Sequence, residues 1–323
     1  MEEIRWGIIG CGDVTEVKSG PAFNKVAHSK LVAVMRRDGA KAADYAKRHG
    51  VPKWYSYASE LINDPEVNAI YIATPPLQHE AYTIEALQAG KPVYVEKPMT
   101  LDAAAAQRMT DAANQLNIKL CVAHYRRAQP MFLKVKELLD QHTIGDIRLI
   151  RLKMLQPPNP VLIAKTEDNW RINPAISGGG LFHDLAPHQL DLMTYYFGAV
   201  KSASGIAAKQ QENTEVDDLV TGNILFENGV VFSGTWCFSV APQDQADECV
   251  IYGSKGKISF PMFGNKINLT TDRTETFAFE PLQHVQQPMI EKVVDYFLNK
   301  GPNPCSGEDA LITMKLMDDF TEV

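Results

Sequence analysis

The 323-residue chain is long enough for two ordinary domains, and its composition, 45% hydrophobic and 22% charged, is typical of a soluble globular protein. A net charge of -7 argues against a nucleic-acid partner, because phosphate binding depends on basic surface. Five scattered cysteines argue against a disulfide scaffold or a zinc cluster, and no apolar run approaches the ~20 residues of a membrane span. We therefore expect a cytoplasmic protein that binds neither nucleic acid nor membrane.

The first part of the chain alternates short apolar runs with amphipathic stretches. Five apolar runs predict strands, at residues 5–10, 31–36, 69–74, 92–97 and 119–124. Strands that are apolar on both faces and separated by helices form a parallel sheet that helices cover on both sides. Right-handed crossovers then give a doubly wound fold. In an α/β protein of this kind, residues 1–123 are predicted to form an N-terminal Rossmann domain that binds a dinucleotide.

The pattern changes in the second part, residues 124–323. An alternating run at 146–156 precedes a Pro-rich loop and a helix at 181–196. Hairpin signals follow at Asn228-Gly229 and in "VIYGSKGKISF". We predict a C-terminal α+β domain with a mainly antiparallel sheet. Apolar residues in both alternating sets of that sheet predict that its second face meets another subunit, in a homodimer or homotetramer.

A glycine motif follows the first predicted strand. Gly10 and Gly12 stand between that strand and a helix, which is the context that a dinucleotide-binding turn needs. Gly10 permits the tight turn, and Gly12 lets the backbone approach a pyrophosphate. The helix offers free N–H groups at its first residues, Asp13 and Val14. The third position of the motif, usually Gly or Ala, is Thr15, and Pro21 is expected to kink or split the helix.

The end of the second predicted strand indicates which nucleotide binds. NAD enzymes usually carry an acid here that accepts hydrogen bonds from the ribose hydroxyls. This chain has Arg36 and Arg37 at that place, and a guanidinium can bind a 2′-phosphate through two hydrogen bonds. NADP(H) is therefore the preferred coenzyme, with NAD(H) use and two solvated arginines as alternatives. Asp38, the next residue, is either a displaced ribose ligand or a partner for an arginine.

The segment "VYVEKPMT", residues 93–100, places charge at the end of a buried strand. Ligands of a doubly wound sheet bind at the carboxyl ends of its strands, so Lys97 is predicted to lie beside the nicotinamide. An ammonium group there can polarise a carbonyl or stabilise an alkoxide. Glu96 is expected to steady the lysine, and a cis peptide before Pro98 is expected to fix its direction. A solvated strand end and a local ion pair are the simpler alternatives.

A second group of polar residues lies on the predicted helix at 181–196. Asp184, His188 and Asp191 are spaced i, i+4 and i+7, which places them on one face. A carboxylate beside an imidazole orients it and favours its protonated form, which suits proton transfer near neutral pH. His183 points about a quarter-turn away. The pattern lacks a clear third neutral ligand, so no metal is predicted, and a polar face of a surface helix is the remaining alternative.

Together these motifs resemble the Gfo/Idh/MocA family of oxidoreductases, the group related to glucose–fructose oxidoreductase and inositol dehydrogenase. The resemblance runs through "GIIGCG", "ATPPLQH", "ALQAGKPVYVEKP", "WRINPAISGGGLFHDLAPHQLD", "VDD", "LFENG" and "IYGSKGKI". It implies that Lys97 is the active-site lysine, His188 the acid/base, and Asp184 its partner or a second hydroxyl ligand. It implies positions at or near the cofactor for Thr74, Pro75, His79, Glu96 and Arg171. Relatives commonly form dimers or tetramers through the C-terminal sheet.

The expected function is that of an NADP(H)-dependent oxidoreductase that interconverts a hydroxyl and a carbonyl on a sugar, polyol or related cyclic substrate. The cofactor supplies the hydride step, while His188 handles the hydroxyl proton and Lys97 stabilises the developing charge. Candidates for contact with this small molecule are Lys97, His124, Tyr125, Arg126, Trp170, Asp184 and His188. His124 is equally well explained as a buried, satisfied histidine.

Two other functions stay open at this stage. One is a nicotinamide-nucleotide sensor without turnover, and the other is a glycosidase that uses tightly held nicotinamide for a transient oxidation. The presence of Lys97 with the Asp184 and His188 pair argues against the sensor, which has no need of a proton-transfer set. The sequence does not distinguish one cyclic substrate from another.

Overall fold

The computed structural model describes residues 2–158, 160, 170–212 and 214–321. The chain forms two compact units, which we call the first unit and the second unit. The first unit comprises Met1–Gln129 and Leu282–Leu311, and the second comprises Pro130–Pro281 and Ile312–Val323. Most of the Pro-rich loop predicted before Trp170 lies outside the described residues.

The sequence predicted a single boundary between residues 123 and 124. The two compact units are not divided in this way, because each consists of two separate segments of the chain. Residues 282–311 return to the first unit, where the ring of Phe297 lies 5.5 Å from the ring of Trp6 in the first strand. An amphipathic helix shows in its sequence that one face is buried, but not against which sheet it packs. This is why the predicted second domain, 124–323, included a segment that belongs to the first unit.

Helices account for much of both units. In the described residues they are α1 (Asp13–Val17), α2 (Gly39–His49), α3 (Ala58–Ile62), α4 (His79–Gln88), α5 (Ala103–Leu116), α6 (Pro130–Asp140), α7 (Pro174–Ser177), α8 (Gly180–Phe197), α9 (Gln287–Phe297) and α10 (Gly307–Thr321). Gly50 ends α2 in the left-handed conformation, and Gly90 adopts it just after α4, as their positions predicted. Within these described segments, no helix combines the length and apolar character needed to cross a bilayer.

The sheet of the first unit is parallel and has six strands. They are β1 (Ile4–Ile9), β2 (Ser29–Met35), β3 (Lys53–Tyr55), β4 (Ala69–Ile72), β5 (Val93–Val95) and β6 (Leu120–Val122). The strand order is β3-β2-β1-β4-β5-β6, the order of a Rossmann fold. The five predicted strands and the predicted fold are confirmed, whereas β3 was missed because three residues show no clear periodicity. The order reverses between β1 and β4, where such sheets bind ligands.

The sheet of the second unit has eight strands and is mainly antiparallel. They are β7 (Ile147–Leu155), β8 (Val200–Ala208), β9 (Leu219–Phe226), β10 (Val231–Cys237), β11 (Ala246–Gly253), β12 (Lys257–Phe260), β13 (Lys266–Thr270) and β14 (Thr274–Ala278). The order is β14-β13-β12-β11-β7-β10-β9-β8, and only the pair of β7 with β10 is parallel among these described strands. Both predicted hairpins are confirmed, and the predicted helix at 181–196 is α8.

One face of this sheet packs on helices of the second unit. Three glycines, Gly205, Gly222 and Gly234, lie side by side in β8, β9 and β10. A Cβ at Gly222 would lie 2.2 Å from the ring of Phe320 in α10. Because glycine has no side chain, these three positions leave a groove in the sheet that admits a large aromatic ring. This explains why small residues recur in strands, which otherwise favour branched residues.

Candidate active site

The turn between β1 and α1 has the form that the glycine motif predicts. Gly10 has a φ of +95°, and a Cβ there would lie 2.7 Å from the backbone nitrogen of Thr74, in the loop after β4. Glycine is required because both the left-handed conformation and this close contact disfavour a side chain. A Cβ at Gly12 would instead meet open space. Gly10 thus allows the loops after β1 and β4 to approach each other, and Gly12 leaves the backbone accessible to a ligand.

The helix after this turn is short. Thr15 is buried, its hydroxyl donates to the carbonyl oxygen of Gly12 at 2.7 Å, and its own carbonyl accepts from the hydroxyl of Tyr45 at 2.8 Å. The helix α1 has five residues, and a separate 3-10 helix, Gly20–Asn24, follows with the proline in its first turn. The predicted split of this helix is confirmed, because proline cannot continue an α-helix from within.

Asp38 has a structural role that the sequence analysis did not consider. Its carboxylate is the N-cap of α2 and accepts hydrogen bonds from the backbone nitrogens of Ala40 and Lys41 at 3.0 and 3.1 Å. The predicted pairing of Asp38 with an arginine is not seen among the described residues, and its other predicted role, as a ribose ligand, stays a prediction. An aspartate immediately before a helix satisfies N–H groups that have no partner within the helix.

The two arginines after β2 differ in their surroundings. The guanidinium of Arg36 lies 3.4 Å from the carbonyl oxygen of Cys11 in the glycine turn. Arg37 is exposed and forms no hydrogen bond or ion pair within the described part of the chain. A cleft of about 550 Å³ opens beside it, lined also by the hydroxyl-bearing residues Ser56 and Tyr57. A guanidinium that has no partner among the described residues is thus available to an anion at the carboxyl end of β2.

The loops after β4 and β5 are joined by a buried histidine. One ring nitrogen of His79 lies 2.7 Å from the carbonyl oxygen of Thr74, and the other lies 3.1 Å from that of Pro98. Burial lowers the pKa of His79 against the opposing effect of these carbonyl groups, so the ring is neutral near neutral pH. His79 therefore holds the two loops in place. Thr74, beside Pro75 at the sheet edge, has a buried hydroxyl without a hydrogen-bond partner among the described residues.

Lys97 lies two residues beyond β5, at the carboxyl edge of the parallel sheet, and is half-buried. The peptide bond between Lys97 and Pro98 is cis, as predicted. The carboxylate of Glu96 accepts hydrogen bonds from the hydroxyl of Tyr71 and the side-chain amide of Gln286, both at 2.5 Å, and from the backbone nitrogen of Lys97 at 3.2 Å. Glu96 thus holds the backbone of the lysine rather than its ammonium group.

Two residues of this network escaped the sequence analysis. Tyr71 is a polar aromatic residue in the middle of an apolar strand, and that contrast was the available signal. Gln286 lies 190 positions from Glu96 in a segment without a motif, so nothing in the sequence pointed to it. Its contact with Glu96 arises only because residues 282–311 pack on the first unit.

In the second unit, two glycines shape the start of the helix that carries the predicted acid/base group. Gly178 ends α7 in a left-handed conformation with a φ of +87°. Gly180 begins α8 with a φ of +75°, and a Cβ there would lie 2.5 Å from a methyl carbon of Val216. These glycines allow the chain to pass directly from α7 into α8, which fixes where the polar face of α8 begins.

That polar face contains an ion pair that the sequence did not predict. Asp184 and His188 lie one turn apart on α8, and His188 is only 4% exposed. The guanidinium Nε of Arg171 lies 2.9 Å from the carboxylate of Asp184, and its plane lies over the ring of Trp170 at 4.6 Å. Arg171, predicted to bind the cofactor, therefore has a carboxylate partner within its own unit. The stacked tryptophan and the carboxylate together restrict the orientation of the arginine.

The remaining candidates are buried. His183 is 5% exposed, and burial lowers its pKa to about 4, so it is neutral near neutral pH. In the first unit, His124 begins a 3-10 helix, Tyr125–Ala128, and the guanidinium of Arg126 lies 5.8 Å from the ring of Tyr125. The site residues that the sequence predicted thus lie partly in the first unit and partly in the second. Within the described residues, no three His, Cys, Asp or Glu side chains are grouped to hold a metal ion.

The residues of the first unit fit a dinucleotide. Gly12 leaves room where a Cβ would project, the Thr74 hydroxyl lacks a partner, and Arg37 is unpaired within the described residues. The first N–H groups of α1 face the same turn, and such groups bind phosphate oxygens well. The fold and these features define a dinucleotide-binding protein.

Comparisons with known proteins identify the family. Residues 4–124 match the profile described as "Oxidoreductase family, NAD-binding Rossmann fold", and residues 132–259 match the "GFO/IDH/MocA C-terminal domain". A similar relative is an oxidoreductase of Formosa agariphila, 49% identical over 318 residues that cover 98% of each chain. The chain belongs to the Gfo/Idh/MocA family of oxidoreductases, and the predicted resemblance is confirmed.

More distant relatives agree with this assignment. The trans-1,2-dihydrobenzene-1,2-diol dehydrogenase of Bos taurus is 32% identical over 254 residues, which cover 78% of this chain and 72% of that one. The crystal structure of an oxidoreductase from Thermotoga maritima has a TM-score of 0.86 at 25% identity, covering 98% of this chain and 95% of that one. The chain is thus an enzyme of the NAD(P)-dependent dehydrogenase type.

Proposed function

We propose that this enzyme is an NADP(H)-dependent oxidoreductase that interconverts a hydroxyl and a carbonyl on a sugar, polyol or related cyclic substrate. The observation that carries the choice of coenzyme is the contrast between Arg37 and Asp38. The guanidinium of Arg37 has no partner in the described part of the chain, whereas the carboxylate of Asp38 is used to cap α2. A cation is therefore available to a 2′-phosphate, and one oxygen of the nearby acid is already bonded to the start of α2.

The surroundings of Arg37 support the same choice. The cleft beside it contains the hydroxyl groups of Ser56 and Ser59 as further donors to phosphate oxygens. Glu85 also lines the cleft and disfavours an anion close to itself. A phosphate bound to Arg37 on the side away from Glu85 would be attracted by the guanidinium and would avoid repulsion by the Glu85 carboxylate.

The nicotinamide, when bound, accepts or supplies the hydride. Lys97 follows β5 at the carboxyl edge of the sheet, and its ammonium would stabilise the negative charge that develops on the substrate oxygen. His188 would take the hydroxyl proton in the oxidative direction and return it in the reductive one. The ion pair of Asp184 with Arg171 would set the charge beside that histidine. Support for a cyclic alcohol substrate comes from the relative described as a diol dehydrogenase.

The direct test is a panel of sugars, polyols and cyclic diols offered with each coenzyme in turn. We expect the reduced-nicotinamide absorbance to rise with at least one member, and Kd for NADPH to be about 10- to 150-fold lower than for NADH. Arg37→Ala should remove most of this preference, and Arg36→Ala should remove less of it. Tighter binding of NADH by the unmodified protein would exclude the proposed coenzyme, and turnover of a glycoside without released reduced coenzyme would exclude the proposed reaction.

We also propose a reducing compartment such as the cytoplasm as the location. All five cysteines are buried and none forms a disulfide within the described residues, and burial raises the pKa of the Cys121 and Cys249 thiols. Free thiols are typical of proteins that remain in reducing compartments. Detection of the protein in a secreted fraction would contradict this.

A further inference from the structure

The helix after the glycine turn is too short to hold its position by its own hydrogen bonds. α1 has five residues, Asp13–Val17, and isolated helices of that length are unstable in water. The carbonyl groups in the last turn of a helix have no partners within the helix and need donors from elsewhere. Because α1 directly follows Gly12, a shift of the helix would also move the turn that a dinucleotide approaches.

The segment that returns to the first unit supplies two donors to the end of α1. The carbonyl oxygen of Lys18 accepts a hydrogen bond from the backbone nitrogen of Gln286 at 3.2 Å. The carbonyl oxygen of Val17 lies 2.6 Å from Nδ1 of His284. A carbonyl oxygen can only accept, so Nδ1 of His284 carries a hydrogen and donates it. The second of these contacts depends on a side chain and can be removed by a single substitution.

His284 makes its contact from a firmly packed part of the chain. Its side chain is buried, at 6% exposed, and α9 begins three residues later, directly after Gln286. That helix packs on β1, where the rings of Phe297 and Trp6 lie 5.5 Å apart. A donor that is fixed in this way restricts the end of α1 instead of following its motion.

The other ring nitrogen of His284 indicates that the residue does more than fill space. Nε2 is buried and has no hydrogen-bond partner among the described residues. A buried polar atom without a partner lowers stability, so an apolar side chain would fill this place without that penalty. What an apolar side chain could not provide is the hydrogen bond to Val17.

We propose that His284 is a positioning residue for the coenzyme, whose Nδ1–H holds the end of α1 and thereby keeps the turn at Gly10 and Gly12 in the geometry that binds a dinucleotide. This inference rests on the proposed function only through its dinucleotide coenzyme. It does not depend on whether NADP(H) or NAD(H) is preferred, or on which residues act on the substrate. Since both coenzymes contain the same pyrophosphate, loss of the contact should weaken the binding of both by the same factor.

Two variants and one control separate the hydrogen bond from packing. His284→Leu removes the donor and keeps an apolar side chain in the buried place. His284→Asn keeps an N–H group close to the position of Nδ1. The matched control is Gln283→Leu, because Gln283 belongs to the same segment but is exposed, and its Oε1 accepts from the ammonium of Lys25 at 3.2 Å.

Three readouts are measured, with thermal unfolding to confirm that each variant folds. The first is Kd for NADPH and for NADH, from titrations of nicotinamide fluorescence. The second is hydrogen exchange of the α1 backbone amides in the coenzyme-free protein, followed by mass spectrometry. The third is kcat and coenzyme KM with the best substrate of the panel. A merely structural role would lower the unfolding temperature without changing Kd for the folded protein.

We expect His284→Leu to raise both Kd values by the same factor, about 3- to 10-fold, and to speed exchange in α1, because one hydrogen bond is lost. At saturating coenzyme, kcat should stay within about twofold of the parent, since the contact is not made in the transition state alone. His284→Asn and Gln283→Leu should both bind the coenzymes within about twofold of the parent.

Unchanged Kd values in His284→Leu would overturn the inference. A higher Kd for NADPH alone would show that His284 acts on coenzyme choice, and a higher Kd without faster exchange would show that it does not act through α1. Either result overturns the inference, and so does a loss in His284→Asn equal to that in His284→Leu. Tighter binding of NADH by the parent would exclude the proposed coenzyme preference and leave the test of His284 intact.

The unmodified protein provides a second test that holds even if His284→Leu does not fold. Coupling between two sites is reciprocal, so a coenzyme that needs α1 in place must also stabilise the contacts that hold α1. Addition of NADPH should therefore slow amide exchange at residues 284–286 as well as in α1. Protection that is confined to α1 would overturn the inference.

Discussion

The guanidinium of Arg171 donates a hydrogen bond to the carboxylate of Asp184 at 2.9 Å, and both side chains are largely buried, at 11% and 17% exposed. The sequence predicted Asp184 either as the partner of His188, one turn further along α8, or as a second hydroxyl ligand, and did not predict the arginine. A cation on the carboxylate offsets its charge, so the histidine experiences a weaker negative field than the spacing suggested. Two substitutions separate these contributions.

Arg171→Met should move the ascending limb of the pH–rate profile for oxidation to higher pH, by roughly one pH unit, because an uncompensated carboxylate favours the protonated imidazole. Asp184→Asn should move the limb the other way. The profile is measured as kcat/KM across the range in which the enzyme is stable. Arg148→Met is the control, since Arg148 forms an exposed ion pair in the same unit. Superimposable limbs for the parent and Arg171→Met would show that the ion pair does not act on His188.

Lys97→Met tests whether the lysine is a solvated strand end or a group that acts in the reaction. In the second case kcat should fall roughly 10²–10³-fold, with coenzyme affinity changing much less, because the stabilised charge exists only in the transition state. His188→Asn should lower kcat about 10²–10⁴-fold and flatten the ascending limb. The double variant should be little worse than the poorer single one. If turnover of Lys97→Met stays within a few fold of the parent, Lys97 is a solvated strand end and does not act in the reaction.

Asp38→Ala should destabilise α2 and leave coenzyme choice nearly unchanged. Its carboxylate accepts from two backbone N–H groups, and loss of an N-cap costs about 1 kcal/mol of unfolding free energy. Asp102→Ala is a matched control, because Asp102 caps α5 through the backbone nitrogen of Ala105. Urea unfolding and the ratio of NADPH to NADH affinity are measured for both. A large gain in NADPH preference in Asp38→Ala alone would show that Asp38 contacts the coenzyme.

His183 should make the protein less stable in acid. Burial holds its pKa at about 4, against 6.5 for an ordinary histidine. Between these values the unfolded chain binds a proton that the folded chain does not, so the unfolding free energy falls as pH drops from 7 toward 4. The full difference is about 3 kcal/mol.

The test compares urea unfolding at the two ends of this range. His183→Asn should lose less stability on acidification than the parent, because asparagine does not titrate. His28→Asn is the control, since His28 is exposed and its φ of +57° is tolerated by asparagine. Equal acid losses in the parent and His183→Asn would contradict the prediction.

The eight-stranded sheet should mediate self-association. One face packs on helices of the second unit, and the other carries apolar side chains that are only partly covered, among them Leu225 and Val231. Their pairing in neighbouring strands makes a continuous apolar row, which is suited to a second copy of the chain. Light scattering at micromolar concentration should give a dimer or tetramer, and Val231→Lys should shift it toward the monomer. The exposed Lys201→Glu serves as a control. A monomeric parent would refute this assembly.

The sequence by itself determined that the first unit is a doubly wound parallel sheet, because strands apolar on both faces and separated by helices are typical of a sheet that helices cover on both sides. It also placed Gly10 and Lys97 correctly at the carboxyl edge, since each is the last residue of a predicted strand. Local chemistry was sufficient for the cis peptide at Pro98 and for the interrupted helix after the glycine turn. These features depend on neighbours in the chain, which the sequence displays.

Only the tertiary structure decided which partner each charged group has. Asp38 caps a helix, Arg171 binds Asp184, and Glu96 is held by Gln286 across 190 positions of chain. A carboxylate accepts equally well from an arginine, a backbone N–H or an amide, so its residue type does not specify its partner. The return of residues 282–311 to the first unit was likewise invisible, because an amphipathic helix shows that one face is buried but not what covers it.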